Sequence, residues 1–359
     1  MIPATASSLR VDDTSVTFNL ADSAHDLVGV RLVQDVGIPE DRLSFRRSAD
    51  HTGWELHLDR PPTGRLEYLL ELRHVDGRME TACDPGNPNL AAGAFGSKSV
   101  VEFPGYLPPA WLGAYPRPGR ARWLELPTRA LHASVNCLLW SSADAPDGVP
   151  LPLLVVHDGP EYAELASLLH YLEAMVGSGR LPEMRAALLA PVDRDAHYTA
   201  SPAYARALAL ALLPALEKVA PTPADRPGRI GMGASMGALA MLYAQRRHPG
   251  SFDGLFLQSG SFFQPRLDDM ELGYPRFARV SSFVSSVLRA GPDWPHAVPA
   301  LLTCGSVEEN LANNTQMARA LAAQGYGARL HVHPDGHNWV SWRDVFDTCL
   351  TGLAGRVWG

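Results

Sequence analysis

Hydrophobic and polar positions alternate with a period of two through much of the first hundred residues, and the pattern changes after about residue 120. Ser15, Val16, Thr17, Phe18, Asn19 and Leu20 alternate strictly, and 28–33 and 53–58 follow the same habit. A further run at 66–72 leads to Asp76-Gly77, a pair suited to a tight hairpin turn. Short strands divided by turn signals, with no long helical periodicity, predict a small β-sandwich. A stretch rich in Pro and Gly then runs from Asp84-Pro85-Gly86-Asn87-Pro88 to Pro104-Gly105, followed by Pro108, Pro109, Pro116 and Pro118-Gly119. It reads as a linker with a boundary near residue 115, giving domains 1–115 and 116–359.

Beyond the boundary, 123–126 and 134–140 read as paired strands. Residues 151–157 form a continuous apolar run, as in a strand buried on both faces, and 186–192 is a second. Leu165, Leu168, Leu169, Leu172 and Val176 recur at helical spacing between them. Further strands are expected at 230–234, 254–258, 300–304 and 328–332, and helices at 204–219, 238–247, 315–323 and 342–358. Strands alternating with helices imply a mostly parallel sheet with helices on both faces, an α/β architecture.

The strand at 230–234 runs straight into Gly233-Ala234-Ser235-Met236-Gly237, a G-x-S-x-G with a helix-forming run behind it. A nucleophile at the tip of a strand needs a sharp strand-to-helix turn, which strains the Ser and brings strand and helix so close that Gly must flank it. Ser235 is therefore the candidate nucleophile, and the Met236 N–H, at the start of the helix, the first oxyanion donor.

Of thirteen His residues, His337 in Asp335-Gly336-His337-Asn338-Trp339 follows the last strand and precedes the last helix. That is the position of the general base in a Ser–acid–His chain order. His331 and His333 alternate along a strand and read as packing residues. The acid falls after the strand at 300–304, where Glu308 is favoured over Glu309. The second oxyanion donor comes from the loop His157-Asp158-Gly159-Pro160-Glu161-Tyr162. Pro160 has no N–H, so Gly159 or Glu161 must donate, with Gly159 preferred. Asp158, Glu161 and Tyr162 are then expected beside the substrate.

Composition removes several alternatives. With 359 residues the chain has room for two domains, and its apolar and charged fractions are those of a globular protein. The net charge is −7 with no basic run, which argues against nucleic acid. Cys83, Cys137, Cys304 and Cys349 show no C-x-x-C spacing, so neither a zinc site nor a redox motif is expected. The last three lie in apolar surroundings and read as core residues. No apolar run is long enough for a membrane span, and the start of the chain lacks the basic and apolar regions of a signal peptide. The expectation is a cytoplasmic enzyme without cofactor or metal, whose partner is a small-molecule ester.

These residues together resemble the enterochelin-esterase-like branch of the putative esterase family, which also contains esterase D and the secreted mycolyltransferases. The resemblance is carried by 154–159, by 231–240, by Arg246-Arg247-His248-Pro249 and by Gln258-Ser259-Gly260-Ser261. It continues through 305–310 and Gly336-His337-Asn338-Trp339. It implies an α/β-hydrolase behind an early-set, immunoglobulin-like domain, to which Asp84-Pro85 and Asn87-Pro88 also point. It carries the nucleophile to Ser235, the base to His337 and the acid to Glu308. Two departures stand out. Pro160 sits where family loops often offer an amide. Arg194-Asp195-Ala196-His197-Tyr198 resembles an R-x-x-E-Y segment but has His197 in the acidic place. Arg194 and Tyr198 are still expected to line the substrate pocket. The resemblance implies a carboxylic-ester hydrolase, most sharply one for a siderophore lactone. Alternatives are a carbohydrate acyl esterase, an acyltransferase, and a degenerate hydrolase that binds a ligand without turnover.

Overall fold

The computed structural model describes residues 9–225 and 228–359; the first eight residues of the stretch inspected for a signal peptide lie outside them. The described residues group into two compact units. One holds those through Leu107 together with Gly305–Glu309 and Pro334–Ser341. The other holds Pro108–Cys304, Asn310–His333 and Trp342–Gly359. The grouping differs from a single cut near residue 115: the first unit ends at Leu107 and gains two short late segments. Packing explains the gain. Val307 lies against the N-terminal core, and the Gly64 N–H donates to the Pro334 carbonyl at 2.8 Å.

The first unit consists of antiparallel sheets. One is ordered Arg10–Val11, Ser15–Ala21, Gly53–Asp59, Arg46–Arg47; the other Leu27–Val33, Arg65–His74, Lys98–Glu102, Leu90–Ala91, with Met79–Ala82 paired to Arg65–His74. The period-two pattern does what it predicts: Val16, Phe18 and Leu20 turn inward with Leu56, Leu58, Leu66, Tyr68 and Leu70. Phe18 meets Tyr68 edge-on at 5.0 Å between ring centroids. The stretch expected to be linker from residue 84 to 105 is instead largely domain. Lys98–Glu102 is a strand with Val100 and Val101 buried, and the Tyr68 hydroxyl donates to Asp84 at 2.7 Å. Its Pro and Gly residues shape the turns around a buried polar cluster that the apolar pattern does not reveal.

The second unit is built on an eight-stranded sheet among the described residues. Its order is Arg120–Thr128, Ala133–Ser141, Arg185–Leu189, Leu153–His157, Arg229–Ala234, Gly254–Gln258, Ala300–Gly305, Arg329–His333. Arg120–Thr128, Ala133–Ser141 and Arg185–Leu189 pair antiparallel in turn. From Arg185–Leu189 to Ala300–Gly305 the neighbours run parallel. Every residue of Leu153–His157, Arg185–Leu189 and Gly254–Gln258 is buried, which is why 153–156 and 186–189 read as apolar runs. This is the α/β-hydrolase arrangement. The expected helix over 204–219 forms as Pro202–Ala207 and Leu213–Glu217, joined through a wide π-type turn. A helix at Phe277–Leu288 was not expected from the sequence; it buries Phe277, Val280, Val284 and Val287 on one face. Cys137, Cys304 and Cys349 are buried, and burial pushes the thiols of Cys137 and Cys349 up to about 12. No helix of the described residues is long and apolar enough to cross a membrane.

Candidate active site

Ser235 stands between the strand Arg229–Ala234 and the helix Met236–Arg247, with φ 55° and ψ −124°. A non-glycine residue held there stores about 1–3 kcal/mol of strain. The surroundings hold it: the Ser235 N–H donates to the Gln258 carbonyl at 2.9 Å, and the Ser235 carbonyl accepts from Leu239 at 3.3 Å and Ser261 at 3.2 Å. A Cβ on Gly233 would lie 2.5 Å from the Gly237 carbonyl carbon, so only glycine lets the helix return this close to the strand. The Ser235 side chain therefore projects from a fixed elbow. Its Oγ lies 3.1 Å from Ser261 Oγ. Ser261 escaped assignment from sequence, because its place depends on a second loop. That loop is braced by the Gly260 N–H donating to Asn314 Oδ1 at 3.0 Å and by Trp342 Nε1 donating to Ser259 Oγ at 3.0 Å.

The loop after Leu153–His157 becomes a short helix, Gly159–Leu165, with Pro160 in its first turn. A missing N–H costs least there. Burial raises the pKa of Glu161. Asp158 is buried and takes a two-pronged contact from Arg194: Nε to Oδ1 at 2.9 Å and Nη2 to Oδ2 at 2.9 Å. Burial raises the Asp158 pKa against the pull of Arg194. Arg194 remains partly open to solvent, with 39% of its side-chain surface exposed.

Two residues expected to line the substrate stand behind the surface instead. Tyr162 is fully buried and its hydroxyl donates to Gln258 Oε1 at 2.9 Å. Tyr198 is also fully buried, stacks on His157 at 4.5 Å between centroids, and accepts from the Asp158 N–H at 3.4 Å. Tyr162 packs against Trp342 and Phe346, and Tyr198 against His157 and Tyr204, so both rings point into the fold. His157 belongs to the same support. Nδ1 lies 3.0 Å from the Gly237 carbonyl and Nε2 2.9 Å from the Tyr204 hydroxyl. The carbonyl requires the proton on Nδ1, leaving Nε2 to accept. Burial lowers its pKa to about 4, so this imidazole is neutral.

His337 and Glu308 meet in the first unit: Nδ1 to Oε2 is 2.8 Å, with Glu308 almost wholly buried and His337 one-third exposed. The other carboxylate oxygen, Oε1, accepts from the Gly305 N–H at 2.7 Å. One oxygen is thus fixed to backbone and the other faces the imidazole, the arrangement that orients a base and stabilises its protonated form. Glu309 is exposed and does not share this position. His331 and His333 stack on each other at 6.0 Å.

A family model described as "Putative esterase" matches residues 134–353. The chain is 29% identical over 247 residues to the iron(III) enterobactin esterase of Dickeya dadantii (strain 3937), a match covering 66% of this chain and 56% of that protein. The chain thus spans little more than half the length of that relative. Among solved structures, the enterobactin esterase of Shigella flexneri in the presence of enterobactin superposes with a TM-score of 0.74 at 20% identity, covering 97% of this chain and 95% of that one. The ferric enterobactin esterase of Salmonella typhimurium gives 0.75 at 19% identity, covering 98% and 96%. These likenesses show the fold.

Proposed function

We propose a serine esterase, on the premise that the chain belongs to the putative esterase family. The observation that carries the proposal is the elbow: Ser235 held at φ 55° between a buried strand and a helix start. In the proposed reaction Ser235 Oγ attacks the ester carbonyl while His337 takes its proton. Glu308 holds the imidazole through Nδ1 and stabilises the imidazolium. The tetrahedral oxyanion accepts from the Met236 N–H and the Gly159 N–H, each donor worth about 3 kcal/mol. Collapse of the adduct breaks the ester C–O bond, and the leaving alcohol takes the proton from His337. Water, activated by His337, then releases the acid from acyl-Ser235.

The position of Pro160 inside a helical first turn supports Gly159 as second donor, since the proline replaces an amide that a helix start does not use. We propose a siderophore lactone as the substrate, supported by the names of the related proteins from Dickeya dadantii, Shigella flexneri and Salmonella typhimurium. Arg194 is the cation of this loop region best placed to meet anionic substrate groups, which tempers the net charge of −7. The test is turnover of a short-chain nitrophenyl ester and of ferric and iron-free trilactone siderophores. Wild type is expected to cleave both classes and Ser235→Ala neither. Equal rates in Ser235→Ala would remove the nucleophile assignment. Nitrophenyl turnover without cleavage of any siderophore would keep the esterase and discard the lactone.

A further inference from the structure

Deep in the first unit, Arg65 begins the strand Arg65–His74 with only 4% of its side chain exposed. A buried guanidinium needs carboxylates. Arg65 Nη1 has Glu67 Oε1 at 3.4 Å on one side and Asp335 Oδ2 at 3.8 Å on the other, and its Nε lies 3.9 Å from Glu102. Asp335 uses its other oxygen differently. Oδ1 accepts from the Gly336 N–H at 2.7 Å and from Asn338 Nδ2 at 3.1 Å, the two residues that flank His337. Asn338 in turn accepts from the Ser341 N–H at 2.8 Å through Oδ1. The neighbouring residue of the strand adds a second hold, since the Gly64 N–H donates to the Pro334 carbonyl at 2.8 Å.

The loop is fixed against the acid as well. A Cβ on Gly305 would lie 2.1 Å from the Asp335 carbonyl oxygen and 2.9 Å from Glu308 Oε1, so the two loops interlock at a glycine. A Cβ on Gly336 would lie 3.4 Å from Val36 and 3.9 Å from Val307. Nothing in the proposed reaction uses Arg65, Glu67 or Asp335, yet they are joined by charge and hydrogen bonds to both sides of the base.

We propose that Arg65 is a positioning residue: from the N-terminal β domain it holds Asp335, and through Asp335 it sets the loop that presents His337 to Glu308. This rests on the reading of His337 as the base. A base displaced by about 1 Å loses on the order of a hundredfold in rate, whereas binding of the ester need not change. The N-terminal domain is then part of the catalytic apparatus rather than an appended module.

The test is a cycle of Arg65→Met, Asp335→Asn and the double variant, with Arg65→Lys alongside, assayed on a nitrophenyl ester. Asp335→Asn keeps an oxygen for Gly336 and loses the charge that Arg65 meets. Each single variant is expected to lower kcat about tenfold or more with KM within about twofold, and Arg65→Lys to recover part of the rate. The double variant is expected to be no slower than the worse single, because both act through one contact. The downfield Nδ1 proton resonance of His337 is expected to shift or broaden in Arg65→Met. If Arg65→Met does not fold, Asp335→Asn and Arg65→Lys carry the same readouts. Unchanged kcat and an unchanged imidazole resonance, or fully additive losses, would overturn the role of Arg65. His337→Ala at the wild-type rate would instead remove the reading on which it rests; an inactive His337→Ala beside unaffected Arg65 and Asp335 variants would overturn the positioning role alone.

Discussion

Ser235 and His337 are supported in different ways. The elbow around Ser235 is local in sequence: Gly233 and Gly237 permit the turn, and the strand and helix on either side fix its direction. The loops carrying Glu308 and His337 add a long-range frame to their local hydrogen bonds. They are held by residues hundreds of positions away, with Val307 on the N-terminal core, Gly64 on Pro334 and Arg65 on Asp335. Ser235 is thus set by a short motif and strain, and the Glu308–His337 pair also by long-range packing and charge. A change near the elbow acts on Ser235 itself, whereas a change at Arg65 reaches the His337 loop from a strand far away in sequence.

The largest effect expected on either side is at the elbow. Ser235→Ala should lower kcat on a nitrophenyl ester by at least about 10⁴-fold with thermal unfolding little changed, since the elbow then carries no hydroxyl and Ser261, whose Oγ lies 3.1 Å away, stands on another loop. Next, on the other side, Glu308→Gln should cost about a hundredfold or more in kcat. The amide cannot stabilise an imidazolium, and the matching change in a serine protease costs about 10⁴. Glu309→Gln, at an exposed position, should stay within about twofold. The reverse ranking would move the acid to Glu309, and two mild effects would leave a Ser–His pair without an acid.

Gly305→Ala tests the interlock of the loops. Its Cβ must displace the Asp335 carbonyl, so kcat should fall about tenfold while the Ser235 elbow keeps its reactivity toward a fluorophosphonate to a lesser but measurable degree. Wild-type turnover would show that the base loop is not held at that point. The smallest effect concerns His157, beneath the elbow. Its pKa is lowered from 6.5 to about 4 by burial, so the folded protein refuses a proton that the unfolded chain accepts. Stability from this group is complete above about pH 6.5 and is lost as pH falls towards 4, to a total of about 3 kcal/mol. Urea unfolding of wild type and His157→Gln over pH 7 to 4 should therefore show a shallower fall in the variant. Parallel curves would mean that His157 is not held neutral.

The same contrast decides what could be read in advance. G-x-S-x-G after an apolar strand is legible because its geometry depends on neighbours within a few residues. The parallel sheet is legible because buried strands such as Leu153–His157 must be apolar throughout. Glu308 was open to exchange with Glu309, since adjacent loop residues differ only in which one the fold buries. The helix Phe277–Leu288 carries Phe277, Val280, Val284 and Val287 at helical spacing, but its serines and β-branched residues obscure that signal. Tyr162 and Tyr198 look like ligand contacts in sequence because both sit in loop motifs, and only tertiary packing shows that their rings point inward. Ser261 stands in a stretch that carries the resemblance but with no role attached, and Arg65 gave no signal, because each acquires its neighbour from a distant segment.

The central claim is that Ser235 is the nucleophile of an esterase. Treating the intact protein with a fluorophosphonate and mapping the adduct by peptide mass spectrometry tests it most directly. A single phosphonyl adduct on Ser235, formed in step with loss of nitrophenyl-ester turnover and absent from Ser235→Ala, is the predicted result. An adduct on another residue accompanying that loss, or full turnover after Ser235 is labelled, would contradict it.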